Sequence, residues 1–170
     1  MTYRNKTYVA FASEDITQYR LMTAWNKNEH IDFSFFDAHD VNNALDTSLP
    51  STIKSRLRER LKNTKQAIVL ASPAARTKAG NNSYLTYELE VMLELQIPIV
   101  VSNLDGSRDV VLASTPQLLL DHDRGVLFTS FQPKILQFAL NNFVDKFNDG
   151  GYKGKSAYKY PESQYTSLGL

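Results

Sequence analysis

Hydrophobic and polar positions alternate along the chain with two different periods. Short runs rich in apolar and β-branched residues predict five strands, at residues 7–11, 32–36, 66–71, 97–101 and 126–129. Between these runs, apolar residues recur every three or four positions, which is the spacing of an amphipathic helix. The middle strands are apolar throughout, as is typical of strands buried on both faces. The pattern predicts an α/β fold: a single doubly wound, flavodoxin-like parallel sheet of five strands with helices on both faces.

The segment from Tyr84 to Val101 contains the most informative of these helices. On a helical wheel its apolar residues fall within about half of the circle, and Glu88 is the charged residue that lies among them. Glu90 and Glu94 lie on the opposite side. A carboxylate on an apolar face loses water and is often kept for a function, and Tyr84, one turn earlier, can wall it. The alternative is that Glu88 snorkels to the surface or pairs with a polar group of the core.

Polar side chains also follow the predicted strands at their carboxyl ends. Ligands of doubly wound sheets bind at this edge, near the reversal in strand order. The polar residues of these loops are Ser13, Asp15, Asp37, His39, Asp40, Asn42, Asn43 and Ser72. The central helix begins after the third strand, so we expect Tyr84 and Glu88 to lie at the same rim. For His39 and Ser72, hydrogen bonds within their own turns are the alternative.

Composition narrows the function classes. The 170 residues suit one globular domain, and the formal net charge of +1 gives no overall attraction to nucleic acid or membranes. Because cysteine is absent, disulfides and thiolate catalysis are excluded, and scattered histidines predict no metal site. The sequence contains neither a glycine-rich dinucleotide motif nor a P-loop, and no run approaches the roughly 18 residues of a membrane span. We divide the chain into a domain at residues 1–148 and an irregular, glycine- and tyrosine-rich tail at residues 149–170.

Four segments carry a family resemblance. They are Y-V-A-F-A-S-E-D from residue 8, F-F-D-A-H-D-V-N-N-A-L-D from residue 35, the helix I-K-S-R-L-R-E-R-L-K-N followed by A-I-V-L-A-S, and Y-L-T-Y-E-L-E-V-M-L-E-L-Q-I-P-I-V-V from residue 84. Together they resemble bacterial TIR domains, and in particular the TIR-like ThsB group of Thoeris antiphage defence, over about residues 5–145. In that family an aromatic residue, usually tryptophan, precedes the catalytic glutamate by four positions, which Tyr84 and Glu88 occupy here.

The resemblance implies an activity and a set of partners. It implies an NAD+ glycohydrolase or ADP-ribosyl cyclase, in which Glu88 supports nicotinamide release and the product is a cyclic or conjugated ADP-ribose signal. The expected cytoplasmic location fits the absence of cysteine. NAD+ is then the substrate, and no cofactor is implied. The implied partners are an effector protein that senses the product, a phage-derived trigger and further copies of this chain in the active state, without nucleic acid or membrane. The substrate contacts expected by resemblance are Phe11, Ala12, Ser13, Asp37, Asp40, Asn42, Ser72 and Tyr84.

Two other functions remain open from the residues. A non-catalytic TIR-like interaction module could use Arg56, Arg58 and Arg60, which the helical pattern places on the exposed sides of one helix, together with the tyrosine-rich tail. A nucleoside hydrolase or deoxyribosyltransferase shares this fold class and a helical glutamate. The residues alone indicate a single semi-buried carboxylate at a polar rim, which can stabilise an oxocarbenium-like transition state.

Overall fold

The sheet of the computed structural model is built from six strands. The structure describes residues 6–37, 49–122, 125–150 and 157–170. The strands in this part of the chain are β1 (Lys6–Ala10), β2 (Phe36–Asp37), β3 (Gln66–Ala71), β4 (Ile99–Asn103), β5 (Val126–Ser130) and β6 (Ala157–Lys159). All neighbouring pairs are parallel, in the order β2-β1-β3-β4-β5-β6. The predicted α/β, doubly wound class is therefore confirmed.

Helices connect the strands and cover the sheet. In the described ranges they are α1 (Ile16–Lys27), α2 (Pro50–Leu61), α3 (Pro73–Ala79), α4 (Tyr84–Glu94), α5 (Gln117–Leu120), α6 (Pro133–Asn148) and α7 (Glu162–Ser167). A 3₁₀ turn, Ser13–Asp15, precedes α1. None of the helices that the structure describes is long and apolar enough to cross a membrane.

Two apolar layers flank the sheet, and the strand period sorts residues between them. Successive side chains of a strand point to opposite faces. In β1, Tyr8 and Ala10 join the layer formed with α2 and α4, whereas Val9 joins the layer formed with α1 and α6. The same alternation runs through β3, β4 and β5. Helix α4 is thus packed on the face to which the side chain of Tyr8 points.

The C-terminal segment differs from the irregular tail expected from its composition. Strand β6 pairs in parallel with β5, so the sheet formed by the described residues has six strands where the sequence predicted five. In α7, Tyr165 is fully buried, and its hydroxyl accepts a hydrogen bond from the Ser130 backbone N–H at 3.2 Å. The Arg108 guanidinium lies 4.3 Å from the centre of the Tyr165 ring. A three-residue strand and a six-residue helix have little local propensity of their own, so these tertiary contacts stabilise them. The domain boundary at residue 148 stays a prediction.

Helix α4 ends at Glu94 in a left-handed cap. The Ile97 N–H donates to the Met92 carbonyl at 3.0 Å, and the Gln96 N–H donates to the Leu93 carbonyl at 3.1 Å. This pair of bonds is the Schellman motif, whose left-handed position is usually glycine. Gln96 occupies that position with φ 54°. A side chain at this position strains the backbone.

Replacing Gln96 with glycine is therefore expected to stabilise the fold. Gln96→Gly relieves the left-handed strain, partly offset by the greater freedom of glycine in the unfolded chain, for a net gain of about 0.5–1 kcal/mol. Urea denaturation measures the change. The matched control is Gln18→Gly inside α1, where the same substitution is expected to cost about 1 kcal/mol. Equal destabilisation by both substitutions would show that the cap is not strained.

Candidate functional site

Glu88 lies on the buried face of α4. Its side chain is 2% exposed, and Leu85, Leu89 and Met92 on the same helix face are buried with it. Glu94, on the opposite side, is exposed. The prediction that Glu88 lies inside the apolar arc is confirmed. Since a carboxyl group in such surroundings needs a polar partner, its neighbours on the sheet and on α2 define the site.

Tyr8 supplies that partner from the first strand. Its ring is fully buried, and its hydroxyl donates a short hydrogen bond to Oε1 of Glu88. Tyr8 is the third of the five residues of β1, two positions before the carboxyl end of the strand. The carboxyl group of Glu88 is therefore tied to the interior of the sheet and not to a loop.

Burial dominates the electrostatics of this pair. Desolvation raises the pKa of Glu88 from its ordinary value of 4.5 to about 8, although the Tyr8 hydrogen bond and the charge of Arg60 both act to lower it. Burial, followed by the charge of Glu88, also raises the pKa of Tyr8 well above its ordinary value. Glu88 is thus largely protonated at neutral pH. A carboxyl group that titrates in this range is a functional-site candidate.

Arg60 approaches the same pair from α2. It is half-buried, and its Nη1 atom is buried without a hydrogen-bond partner among the described residues. Arg58 points elsewhere, since its guanidinium forms two hydrogen bonds with the exposed Glu94, at 2.9 and 3.0 Å. Arg60 departs in part from the expectation that Arg56, Arg58 and Arg60 share the exposed sides of one helix, because its Nη1 atom is buried.

A second polar group lies where the strand order reverses, at the carboxyl ends of β1 and β3. The Ser72 hydroxyl donates to Oδ2 of Asp15 at 2.5 Å and accepts from the Ala75 N–H at 3.0 Å, and Asp15 and Ser72 are both buried. Ser72 therefore caps α3, a helix that the sequence pattern did not predict. The Ser-Pro start of α3 was its available signal, because serine favours the cap position and proline the first helical position.

Lys78 connects the loop after β1 to this rim. Lys78 of α3 donates to the Ser13 hydroxyl at 2.5 Å and pairs with Glu14 at 2.9 Å. Phe11 stacks on Tyr19 with the ring centres 4.7 Å apart, and Ala12 is buried. The structure thus brings Ser13 and Ser72, both expected from the sequence, to the ends of neighbouring strands. Asp15, which joins the loop to Ser72, was not among the predicted contacts.

Of the remaining predicted contacts, Tyr84 and Asp37 lie in different elements of the described structure. Tyr84 is half-buried at the start of α4, packed against the layer that contains Tyr8, and its charge raises the pKa of Tyr8. Asp37 ends β2 in register with Thr7 of β1. Asp40 and Asn42, like His39 and Asn43, lie outside the described residues. Within the described ranges, no group of three His, Cys, Asp or Glu side chains is arranged to hold a metal ion.

The chemistry available at Glu88 is that of a desolvated carboxyl group in the interior, and the expected position at the rim of the loops is replaced by its contact with Tyr8. It has a phenol donor at hydrogen-bonding distance and a guanidinium whose charge acts on it. Such a group can stabilise a developing cation when it is ionised.

Comparison with known families assigns the chain to one of them. A family model described as "Thoeris protein ThsB, TIR-like domain" matches residues 8–109, which is more than half of the chain. The matched region runs from β1 to beyond β4 and includes Tyr8, Ser72 and Glu88. No curated protein is similar enough to the chain to count as a match. The chain belongs to the TIR-like domain family of the Thoeris protein ThsB.

Proposed function

We propose that this Thoeris TIR-like protein cleaves NAD+ between nicotinamide and ribose, with Glu88 as the catalytic residue. The observation that carries the proposal is the position of Glu88, the most deeply buried carboxyl group among the described residues, on the α4 face that packs against β1. Glu88 also follows an aromatic residue by one helical turn, as in the family's catalytic pattern. A buried carboxyl group is costly in a core, which supports a chemical role over a structural one.

The reaction needs little from the protein beyond one negative charge. The bond between C1′ of the ribose and the nicotinamide nitrogen breaks, and both electrons leave with nicotinamide, whose ring loses its positive charge. The ribose becomes an oxocarbenium-like cation, which an ionised Glu88 stabilises. Water then adds to C1′ and loses a proton to give ADP-ribose, or a nucleophile of the same or another molecule adds to give a cyclic or conjugated product.

The burial of Glu88 means that the reaction requires a rearrangement of the protein. At 2% exposure its carboxyl group does not meet solvent, and at neutral pH it is largely protonated. A substrate therefore reaches it after side chains around α4 move, and the cationic nicotinamide ribose then favours the ionised form. A phage-derived trigger and association of several copies of the chain cause that rearrangement. The product acts on a separate effector protein that senses it.

A non-catalytic interaction module is the second candidate. The burial of Glu88 also favours this candidate. A buried carboxyl group that is hydrogen-bonded to a tyrosine can serve the structure alone. This candidate predicts no nucleotide turnover under any condition.

Small-molecule analysis of infected cells separates the two candidates. Cells that express the chain are challenged with phage, and their nucleotides are measured by mass spectrometry before and after infection. We expect loss of NAD+, release of nicotinamide and a new ADP-ribose species after infection. In parallel, nucleosides and NAD+ are offered side by side to lysates of the infected cells. Cleavage of nucleosides alone would indicate a nucleoside hydrolase, and unchanged NAD+ in every condition would indicate the interaction module.

A further inference from the structure

The partner of Glu88 lies in a strand that is paired on both sides. Tyr8 lies in β1, which pairs with β2 on one side and β3 on the other. Because its ring is fully buried between the sheet and the helix layer, its hydroxyl has a fixed position. The carboxyl group of Glu88 ends a side chain with three rotatable bonds, so without this contact its direction would be set by packing alone.

We propose that Tyr8 is the positioning residue for Glu88: its hydroxyl fixes the direction of the carboxyl group and holds it ready for the sugar cation. This inference rests on the NAD+ cleavage proposed above. Tyr8 acts through Glu88 and does not itself touch the substrate. Neither composition nor the helical pattern of α4 indicates it, because the two residues are 80 positions apart.

The hydrogen bond from Tyr8 has a measurable effect on the pKa of Glu88. Tyr8 of β1 and Arg60 of α2 act on the carboxyl group, and Tyr84 of α4 acts on Tyr8. The Tyr8 hydrogen bond lowers the pKa of Glu88, whereas burial raises it. Removing the hydroxyl removes one of the two effects that lower the pKa of Glu88, so its carboxyl group becomes harder to ionise. A contact that only filled the core would not couple to ionisation in this way.

Tyr8→Phe tests the inference, because it removes the hydroxyl and keeps the ring. We expect the rate of NAD+ cleavage near pH 7 to fall about tenfold with little change in KM, and the midpoint of the pH–rate profile to rise by about one to two units. Raising the pH is expected to restore the rate of the variant. The matched control is Tyr165→Phe, which removes another buried tyrosine hydroxyl with a hydrogen bond, near β5. It is expected to leave both the rate and the profile unchanged.

A second readout does not depend on activity. The carboxyl carbon of Glu88 is followed by NMR across pH, in protein labelled with 13C-glutamate, and assigned by its absence in Glu88→Gln. We expect a higher titration midpoint in Tyr8→Phe than in the wild type, and no change in Tyr165→Phe. An unchanged midpoint, or an unchanged rate of NAD+ cleavage in Tyr8→Phe, overturns the positioning role. If the wild type cleaves no NAD+ in any condition while the midpoint shifts, the proposed function fails and the coupling of Tyr8 to Glu88 stands.

Discussion

Glu88→Gln is expected to lower the rate of nicotinamide release by at least about 100-fold while the protein remains folded. Glutamine has nearly the shape of glutamate, and its side-chain oxygen can accept the hydrogen bond that Tyr8 donates to Oε1. It carries no negative charge at any pH, so the oxocarbenium-like transition state loses its stabilising partner. Mass spectrometry of nicotinamide and ADP-ribose species, in infected cells that express either protein, measures the effect.

The control for this substitution lies on the same helix. Glu94→Gln removes a carboxylate that is exposed and paired with Arg58, on the side of α4 away from the sheet. It is expected to keep the wild-type rate and the wild-type protection against phage. Unchanged product levels in cells that express Glu88→Gln would remove Glu88 from the mechanism.

The same substitution is expected to make the fold more stable at alkaline pH, by about 4–5 kcal/mol at pH 9. The pKa of Glu88 is about 8 in the folded protein and near 4.5 when the chain is unfolded. Below pH 4.5 both states hold the proton and the ionisation of Glu88 has no effect. Between pH 4.5 and 8 the unfolded chain releases the proton and the folded protein retains it, so the wild type loses stability as the pH rises. Glu88→Gln does not titrate and escapes this loss.

Urea denaturation at pH 5, 7 and 9 measures the difference between the two proteins. The gap in the free energy of unfolding between Glu88→Gln and the wild type is expected to widen with each step in pH. The exposed Glu94, whose pKa is lowered by its hydrogen bond with Arg58, provides the opposite case, and Glu94→Gln is not expected to gain stability as the pH rises. Parallel curves for the wild type and Glu88→Gln would show that burial does not raise the pKa of Glu88.

Both roles predict the gain in stability, because it follows from the burial of the carboxyl group. The loss of NAD+ cleavage is therefore the result that identifies a chemical role, and a residue kept for chemistry often lowers the stability of the fold in exchange for activity. Glu88→Gln is expected to gain stability at pH 7 and above and to lose NAD+ cleavage. The interaction module predicts the gain in stability without a change in nucleotides.

Sequence periodicity determined much of the architecture. Strands β3 and β4 were readable because apolar side chains fill both of their faces, and α4 because its apolar residues recur at the helical period. The same period identified Glu88 as a carboxyl group on an apolar face. The sequence pattern did not predict α3, β6 or α7, because these elements are too short to show a clear period. Tertiary contacts stabilise β6 and α7, and a serine cap stabilises α3.

The partners of the site residues were decided by the tertiary structure alone. Tyr8 and Glu88 are 80 positions apart, and Asp15 and Ser72 are 57 positions apart. A period places a residue on a face of its own strand or helix, so the sequence determined that Glu88 lies on the apolar face of α4, and the structure showed that it is buried there. Which residue faces it depends on how α4 is placed against β1, and that placement is set by packing of the whole apolar layer.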